Sequence, residues 1–257
     1  MGMPIHKRER ARARADEVIS HIRITGRGSG LKVSALFSGG KDSTYAVYLA
    51  QQQGWEVSSL LTIVPKAEDS YMFHFPNIRW TALQAEAMGI PIKVRESSGE
   101  KEKELDDVEA LMAAEDVNGF ICGAIASDYQ WSRLNGIGHR LGKPVHAPLW
   151  RKDQVLLLED MVHAGFRFMI SGVYAYGFDE TWLGKIITER SIKELERLRD
   201  RFSISPSGEG GEIETFVLDA PNFSKAVSVE EAEVRWNRDS GTYMIKRAVL
   251  EDKTRGL

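Results

Sequence analysis

The chain is poor in the residues that mark secreted, membrane or metal-cluster proteins. Of its 257 residues one is cysteine, Cys122. An intramolecular disulfide and a cysteine-built zinc or iron site are therefore both excluded. No apolar run approaches the length of a membrane span. The N-terminus lacks the apolar stretch of a secretory signal, and a cytoplasmic location is the expectation. Net charge is only −3, so no overall field favours nucleic acid. Metal-ligand spacings such as HExxH are missing as well. What remains is an ordinary globular profile, 42% hydrophobic and 28% charged, with room for one large domain or two modest ones.

The densest chemistry is Ser38-Gly39-Gly40-Lys41-Asp42-Ser43. An apolar strand over Leu31–Phe37 precedes it, and a helix starting at Thr44 and ending at Gly54 follows. Strand, glycine turn and helix aim backbone N–H groups at an anion. Gly39 and Gly40 let oxygens approach the main chain. Ser38 and Ser43 add hydroxyl donors, and Lys41 adds a point charge. Asp42 makes most sense as a loop-orienting group or as a ligand to Mg²⁺, which takes carboxylate together with phosphate oxygens. The stretch is not a Walker A loop, whose glycine and Ser/Thr places are held here by Ala35 and Asp42. An ordinary glycine-rich turn is the plain alternative. The stretch resembles the SGGxDS signature of the PP-loop ATP pyrophosphatases, which cut ATP between its α- and β-phosphates.

Strand and helix patterns alternate from there. Strands are expected at Val57–Val64, Ile92–Val94, Phe120–Cys122 and Val145–Leu149. Helices are expected from Asn77, as a possible cap, to Met88, and over Glu100–Glu115, Asp128–Leu141 and Asp153–Ala164. This is the pattern of a parallel sheet covered on both faces, a Rossmann-like α/β fold. The strand order 3-2-1-4-5 would bring the first and fourth strand ends to one crevice. The fourth leads into Gly123-Ala124 and then Ser127-Asp128. Gly123 and Ala124 would border the nucleotide, with Ser127 and Asp128 nearby; the last two could equally be helix caps.

After Val173 the texture changes. A helix is expected over Thr188–Asp200 and strands over Ile213–Leu218, Lys225–Val229 and Tyr243–Val249, with a turn at Asp239-Ser240-Gly241. The organisation read from this is a basic extension at 1–30, a nucleotide domain at 31–150 and a smaller α+β substrate domain at 151–257. In the extension, Lys7, Arg8, Arg10, Arg12, Arg14, Arg23 and Arg27 outnumber Glu9, Asp16 and Glu17. It could touch RNA or an acidic partner, or simply be solvated.

A second signature, Glu209-Gly210-Gly211-Glu212-Ile213-Glu214-Thr215, opens one of the late strands. On a strand Glu212 and Glu214 share a face, and two carboxylates side by side call for a cation. Tyr174, Tyr176 and Trp182 could complete a cation–π site for a quaternary ammonium group, or belong to the core. Cys122 is expected in the core, which disfavours a nucleophilic role. His139, His146 and His163 read as structural or surface residues; His74 is a candidate for the nucleotide or substrate site.

Taken together, SGGKDS, Asp69–His74, GAIASDYQ, Ala147–Trp150, VYAYGFDETWLG and GEGGEIETFVLD resemble the diphthine–ammonia ligase family from about Lys32 to Val249. The resemblance implies an enzyme that uses ATP with Mg²⁺ to load the carboxylate of diphthine as an acyl-adenylate. Pyrophosphate leaves, and ammonia then gives diphthamide and AMP. It implies translation elongation factor 2 as the protein partner, with neither membrane nor nucleic acid involved. Ser38, Lys41, Asp42 and Ser43 would be catalytic. Main-chain groups of Thr62, Ile63 and Val64 would hold adenine, and the residues of the second signature would bind substrate. Two other readings stay open on sequence: a PP-loop enzyme modifying tRNA, and a nucleotide sensor without chemistry.

Overall fold

Alternating apolar residues set the first sheet. In β1 (Lys32–Leu36) Val33 and Ala35 are buried on one face, against Ala46, Val47 and Ala50 of α1 (Lys41–Gln52). In β4 (Gly119–Ile121) Ile121 joins that cluster, whereas Phe120 and the following Cys122 join the cluster on the opposite face. Period-two burial on both sides is what a parallel sheet sandwiched by helices requires. Between them lie β2 (Glu56–Pro65), α2 (Thr81–Met88), β3 (Ile92–Ser97) and α3 (Lys101–Ala113). After β4 come α4 (Asp128–Leu141) and β5 (Val145–His146). α1 and α2 cover one face. α3 and α4 cover the other, through Leu111, Met112 and Ile137.

In this computed structural model residues 30–65, 77–97 and 101–253 are described. The basic extension before Gly30 and the Asp69–His74 run, with the candidate His74, lie outside them. All pairings of the first sheet are parallel and its order is β3-β2-β1-β4-β5, as read from the sequence. β1 and β4 are neighbours, so the chain diverges to opposite sides between them, and the crevice sits at their carboxyl ends. β5 is shorter than the expected Val145–Leu149, because the chain turns at Pro148–Trp150, where proline supplies no ladder N–H.

The second sheet is antiparallel, in the order β7-β6-β9-β8. α5 (Gln154–His163) leads into β6 (Arg167–Val173). α6 (Glu189–Phe202) precedes β7 (Ile213–Asp219), β8 (Lys225–Asn237) and β9 (Ser240–Asp252). α5 is capped by Asp153, whose Oδ1 accepts from the amides of Val155 and Leu156, each at 3.0 Å. Its buried Leu157 and Met161 share a core with Ile192 and Leu195 of α6.

β8 runs eight residues past the expected Val229. Its far end carries Glu230, Glu231, Glu233 and Arg235, which disguise the apolar period. Cross-strand bases balance these acids: Lys246 lies 2.8 Å from Glu233 and Arg247 2.7 Å from Glu230. Hydrogen bonds from Arg235 and Lys246 hold the Glu233 carboxyl down to about 2. Charges along an outer strand also discourage edge-to-edge association. The hairpin turns at Arg238-Asp239 and not at the expected Asp239–Gly241. Arg238 adopts a left-handed φ of 59° there, as two-residue hairpin turns demand.

Asn77 does not cap α2 with its side chain. A 3₁₀ turn over Ile78–Trp80 intervenes, and the Asn77 amide is spent on β9. Its Nδ2 donates to Tyr243 O and its Oδ1 accepts from Ile245 N, both at 2.9 Å. Arg79 and Trp80 donate to Ile245 O. This segment therefore completes the hydrogen bonding of β9 on the edge opposite β8, past the end of its pairing with β6. Asn77→Ala is expected to cost about 1–3 kcal/mol, since two main-chain groups lose their partners. The loss is read as a lower urea midpoint at unchanged slope. A shift below about 0.5 kcal/mol would show that Asn77 is a bystander.

Candidate active site

The glycine loop joins β1 to α1 at the crevice. Gly39 sits at φ +78°, a conformation side-chain-bearing residues rarely adopt. Ser38 and Ser43 face each other across the bend. The Ser38 amide donates to Ser43 Oγ at 3.2 Å, the two hydroxyls lie 3.2 Å apart, and Ser43 Oγ donates to Gly40 O at 3.1 Å. The Gly40 amide makes a single long contact, 3.4 Å to Ser38 Oγ. Gly123 packs directly behind: a Cβ there would fall 2.6 Å from the Asp42–Ser43 peptide. Its missing side chain thus serves helix packing and lets the loops after β1 and β4 lie against each other.

Lys41 departs from the expected phosphate clamp. Its side chain is buried, and Nζ donates to Ser207 O at 2.6 Å and to Asp42 Oδ2 at 2.8 Å. A buried ammonium needs such partners, and they hold it away from the open side of the loop. Ser207 is fixed in turn by Gln154, whose Oε1 accepts from Ser205 Oγ, Ser207 N and Ser207 Oγ. Burial raises the Asp42 carboxyl above its ordinary value, against the opposing pull of Lys41. Asp42 Oδ1 is enclosed without a hydrogen-bond partner. An orphaned carboxylate oxygen beside a phosphate-type loop suits Mg²⁺, which is bound through one or two carboxylates plus phosphate oxygens.

The second signature lies on the first. Thr215 Oγ1 accepts from the Lys41 amide at 3.1 Å, and the Val217 amide donates to Gly39 O at 3.1 Å. Glu209 Oε1 accepts from the amides of Ala126 and Ser127, both at 2.7 Å, which ties this segment to the loop after β4. Glu212 Oε1 accepts from Ser205 N at 3.0 Å, while its Oε2 is buried without a partner. Gly211 takes a left-handed φ of 85°, and Gly210 packs beside the Glu212 carboxylate, 2.7 Å from a Cβ position. Glu214 is pushed up to about 8 by burial, opposed by the Tyr174 hydroxyl 3.5 Å from its Oε2. The same surroundings raise the Tyr174 phenol.

The structure moves other expected residues. Trp182 is buried at 6% exposure, edge-on to Phe178 and 3.9 Å from Lys185 Nζ; it is a core side chain and walls no open cage. Tyr176 is 75% exposed and meets Phe202 edge-on. Ser127 is the N-cap of α4, accepting from Gln130 N at 3.3 Å, and Asp128 pairs with Arg151 at the surface. Thr62 donates to Phe37 O at 2.8 Å. β1 pairing ends at Leu36, opposite Leu61, so the Thr62–Val64 main chain runs on past its neighbour. Ala124 is buried behind the loop. Cys122 is buried, with its thiol pushed up to about 11, a poor nucleophile. His146 is exposed and contacts Trp55; His163 pairs with Glu189 at the surface. Among the described residues no cluster of three or more metal-ligating side chains occurs, and no helix is long and apolar enough to cross a membrane. Sequence reasoning missed Gln84, Gln154 and Ser207, whose roles exist only in tertiary contact.

A glycine loop at the switch point of a 3-2-1-4-5 sheet, covered by an acidic strand from a second, antiparallel sheet, defines a two-sheet α/β protein. The chain belongs to the diphthamide synthase family. Residues 31–144 match the diphthamide synthase N-terminal domain and residues 153–250 its C-terminal domain. The chain is 34% identical to the diphthine–ammonia ligase of Mus musculus over 226 residues, 79% of this chain and 84% of that one. It is 32% identical to the diphthine–ammonia ligase of Danio rerio over 251 residues, 87% and 98% respectively. The U34-tRNA thiolase of Methanococcus maripaludis superposes with a TM-score of 0.36 at 16% identity, covering 77% and 78% of the two chains; so weak a likeness carries no argument.

The raised Glu214 carboxyl has a signed consequence. A folded value of about 8 lies above the unfolded carboxylate range, so the folded state holds a proton that the unfolded state releases. Stability then falls as pH rises from about 4.5 to 8. Glu214→Gln, which mimics the protonated form, should gain melting temperature relative to the parent as pH rises through that window. A constant difference from pH 5 to 9 would show that Glu214 titrates normally.

Proposed function

We propose that this chain is an ATP-dependent ligase that forms the amide of diphthamide from diphthine and ammonia. Family membership supports the activity. The observation that carries the mechanism is the contact between the two signatures: the Lys41 amide on Thr215 and the Gly39 carbonyl on Val217. A nucleotide loop and an acidic substrate strand that share hydrogen bonds form one site, so the group to be activated can lie beside the phosphates.

On this reading residues 31–150 carry the nucleotide and residues 151–257 the protein substrate. Gly39, Gly40, Ser38 and Ser43 hold the triphosphate, and the Thr62–Val64 main chain with Gly123 and Ala124 borders the nucleoside. Asp42 would hold Mg²⁺, which when bound offsets charge on the departing pyrophosphate. The substrate carboxylate attacks the α-phosphorus and the bond to the bridging oxygen breaks. The acyl-adenylate carbon is then attacked by ammonia; the C–N bond forms, AMP leaves, and the nitrogen gives up a proton. Glu212 and Tyr174 suit a trimethylammonium-bearing side chain, and Glu214 joins them once its proton leaves: carboxylates and an aromatic face attract a cation that cannot donate hydrogen bonds. The protein that bears it is translation elongation factor 2. The buried thiol of Cys122 supports free ammonia as the nitrogen source.

Incubating the protein with ATP, ammonium and diphthine-bearing elongation factor 2 should convert the acid to the amide by mass and yield AMP with pyrophosphate. Asp42→Ala should lower AMP formation at least about 100-fold, the scale on which a single electrostatic group in a site counts, while Cys122→Ala retains ammonia-dependent turnover. ADP as the product, or full turnover without Asp42, would contradict the mechanism.

A further inference from the structure

Gln84 of α2 is fully buried, and neither signature contains it. Its Nε2 donates to Gly39 O at 2.9 Å and to Val217 O at 2.8 Å. The Val217 amide donates to the same Gly39 O at 3.1 Å. Both partners of Nε2 are carbonyls, which fixes the orientation of the amide. The side chain therefore bridges the bend of the glycine loop and the free edge of β7. The fit is close: a Cβ on Gly39 would fall 2.4 Å from Gln84 Oε1, an atom enclosed without a partner of its own.

A consequence follows from peptide geometry. In a planar trans peptide the C=O and the next N–H point in opposite directions. Pinning the Gly39 carbonyl onto Gln84 and Val217 turns the Gly40 N–H the other way, toward Ser38 Oγ, where it has only its long 3.4 Å contact. A Gly-Gly peptide is otherwise free to flip, since neither residue has a Cβ to oppose it. We propose that Gln84 is a positioning residue that sets the direction of the Gly39–Gly40 peptide and so aims the Gly40 N–H at the nucleotide's phosphate. It acts through the loop and touches no reacting atom. Because its second bond ends on β7, it also makes the loop's geometry depend on the strand that bears Glu214 and Thr215.

The inference rests on the loop being the ATP site, and the test separates the two. MgATP is titrated calorimetrically onto the full chain, onto Gln84→Met, which fills the space without a donor, and onto Gln84→Glu, which sets a carboxylate against two carbonyls. The expected order of affinity is parent, then Gln84→Met about tenfold weaker, then Gln84→Glu weaker still, the scale of one lost amide–anion hydrogen bond. KM for ATP should rise while KM for the protein substrate stays put, a split that a general loss of stability does not produce. Failure of the parent to bind MgATP would remove the loop reading and this inference with it. A parent that binds, with Gln84→Met folded and within twofold of it, overturns the inference alone. Should the variants not fold, ¹⁵N-glycine spectra of the parent decide. The Gly40 amide must shift on saturation with MgATP, and an unmoved resonance overturns the proposal.

Discussion

An edge strand needs partners for its outward N–H and C=O groups, and in this chain β7 finds them on the glycine loop and on α2. Val217 gives its amide to Gly39 and its carbonyl to Gln84, and Thr215 takes the Lys41 amide. The requirement that buried main-chain groups be paired thus couples two sheets of different topology at the crevice of the first. An edge left open would expose its ladder groups to water or to another chain. Closed onto the loop, it delivers the acidic residues of the second signature to the glycine bend.

The same contact explains the electrostatics. The second lobe over the loop buries Lys41 and leaves Asp42 and Glu214 partly buried. Burial disfavours charge, so both carboxyls rise, while Lys41 Nζ donates to Asp42 and a carbonyl. Glu209 rests on two main-chain amides just before α4, where a helix N-terminus welcomes an anion. Low dielectric strengthens every one of these interactions. A carboxylate to be activated by ATP and a cation to be recognised both gain from such surroundings.

Much of this was legible along the chain, and the exceptions share a cause. The loop, the alternation of strands and helices and α4 over Asp128–Leu141 follow from local pattern, because period, caps and glycine turns act within a few residues. Trp182 is read from its aromatic, acidic neighbourhood as a cage wall, yet the fold buries it in the core, against Phe178 and Lys185. The far half of β8 is hidden by its charges, which make sense only beside Lys246 and Arg247 on the next strand. Asn77 has the position of a cap and is claimed by Tyr243 and Ile245, some 166–168 residues away. Gln84, Gln154 and Ser207 carry no sequence signal: a glutamine in a helix becomes a bridge only when folding brings two carbonyls to it. Lys41 is the instructive case, being correct in place and different in direction, because Ser207 lies in a loop 166 residues on.

The central claim is that the glycine loop and β7 act as one site. A crystal structure with a non-hydrolysable ATP analogue and Mg²⁺ tests it most directly. The account predicts phosphate oxygens within hydrogen-bonding distance of the Gly40 amide and the Ser38 and Ser43 hydroxyls, with Thr215 still on the Lys41 amide. A triphosphate bound away from the loop, or a β7 strand that separates from Gly39 when nucleotide is present, would contradict it.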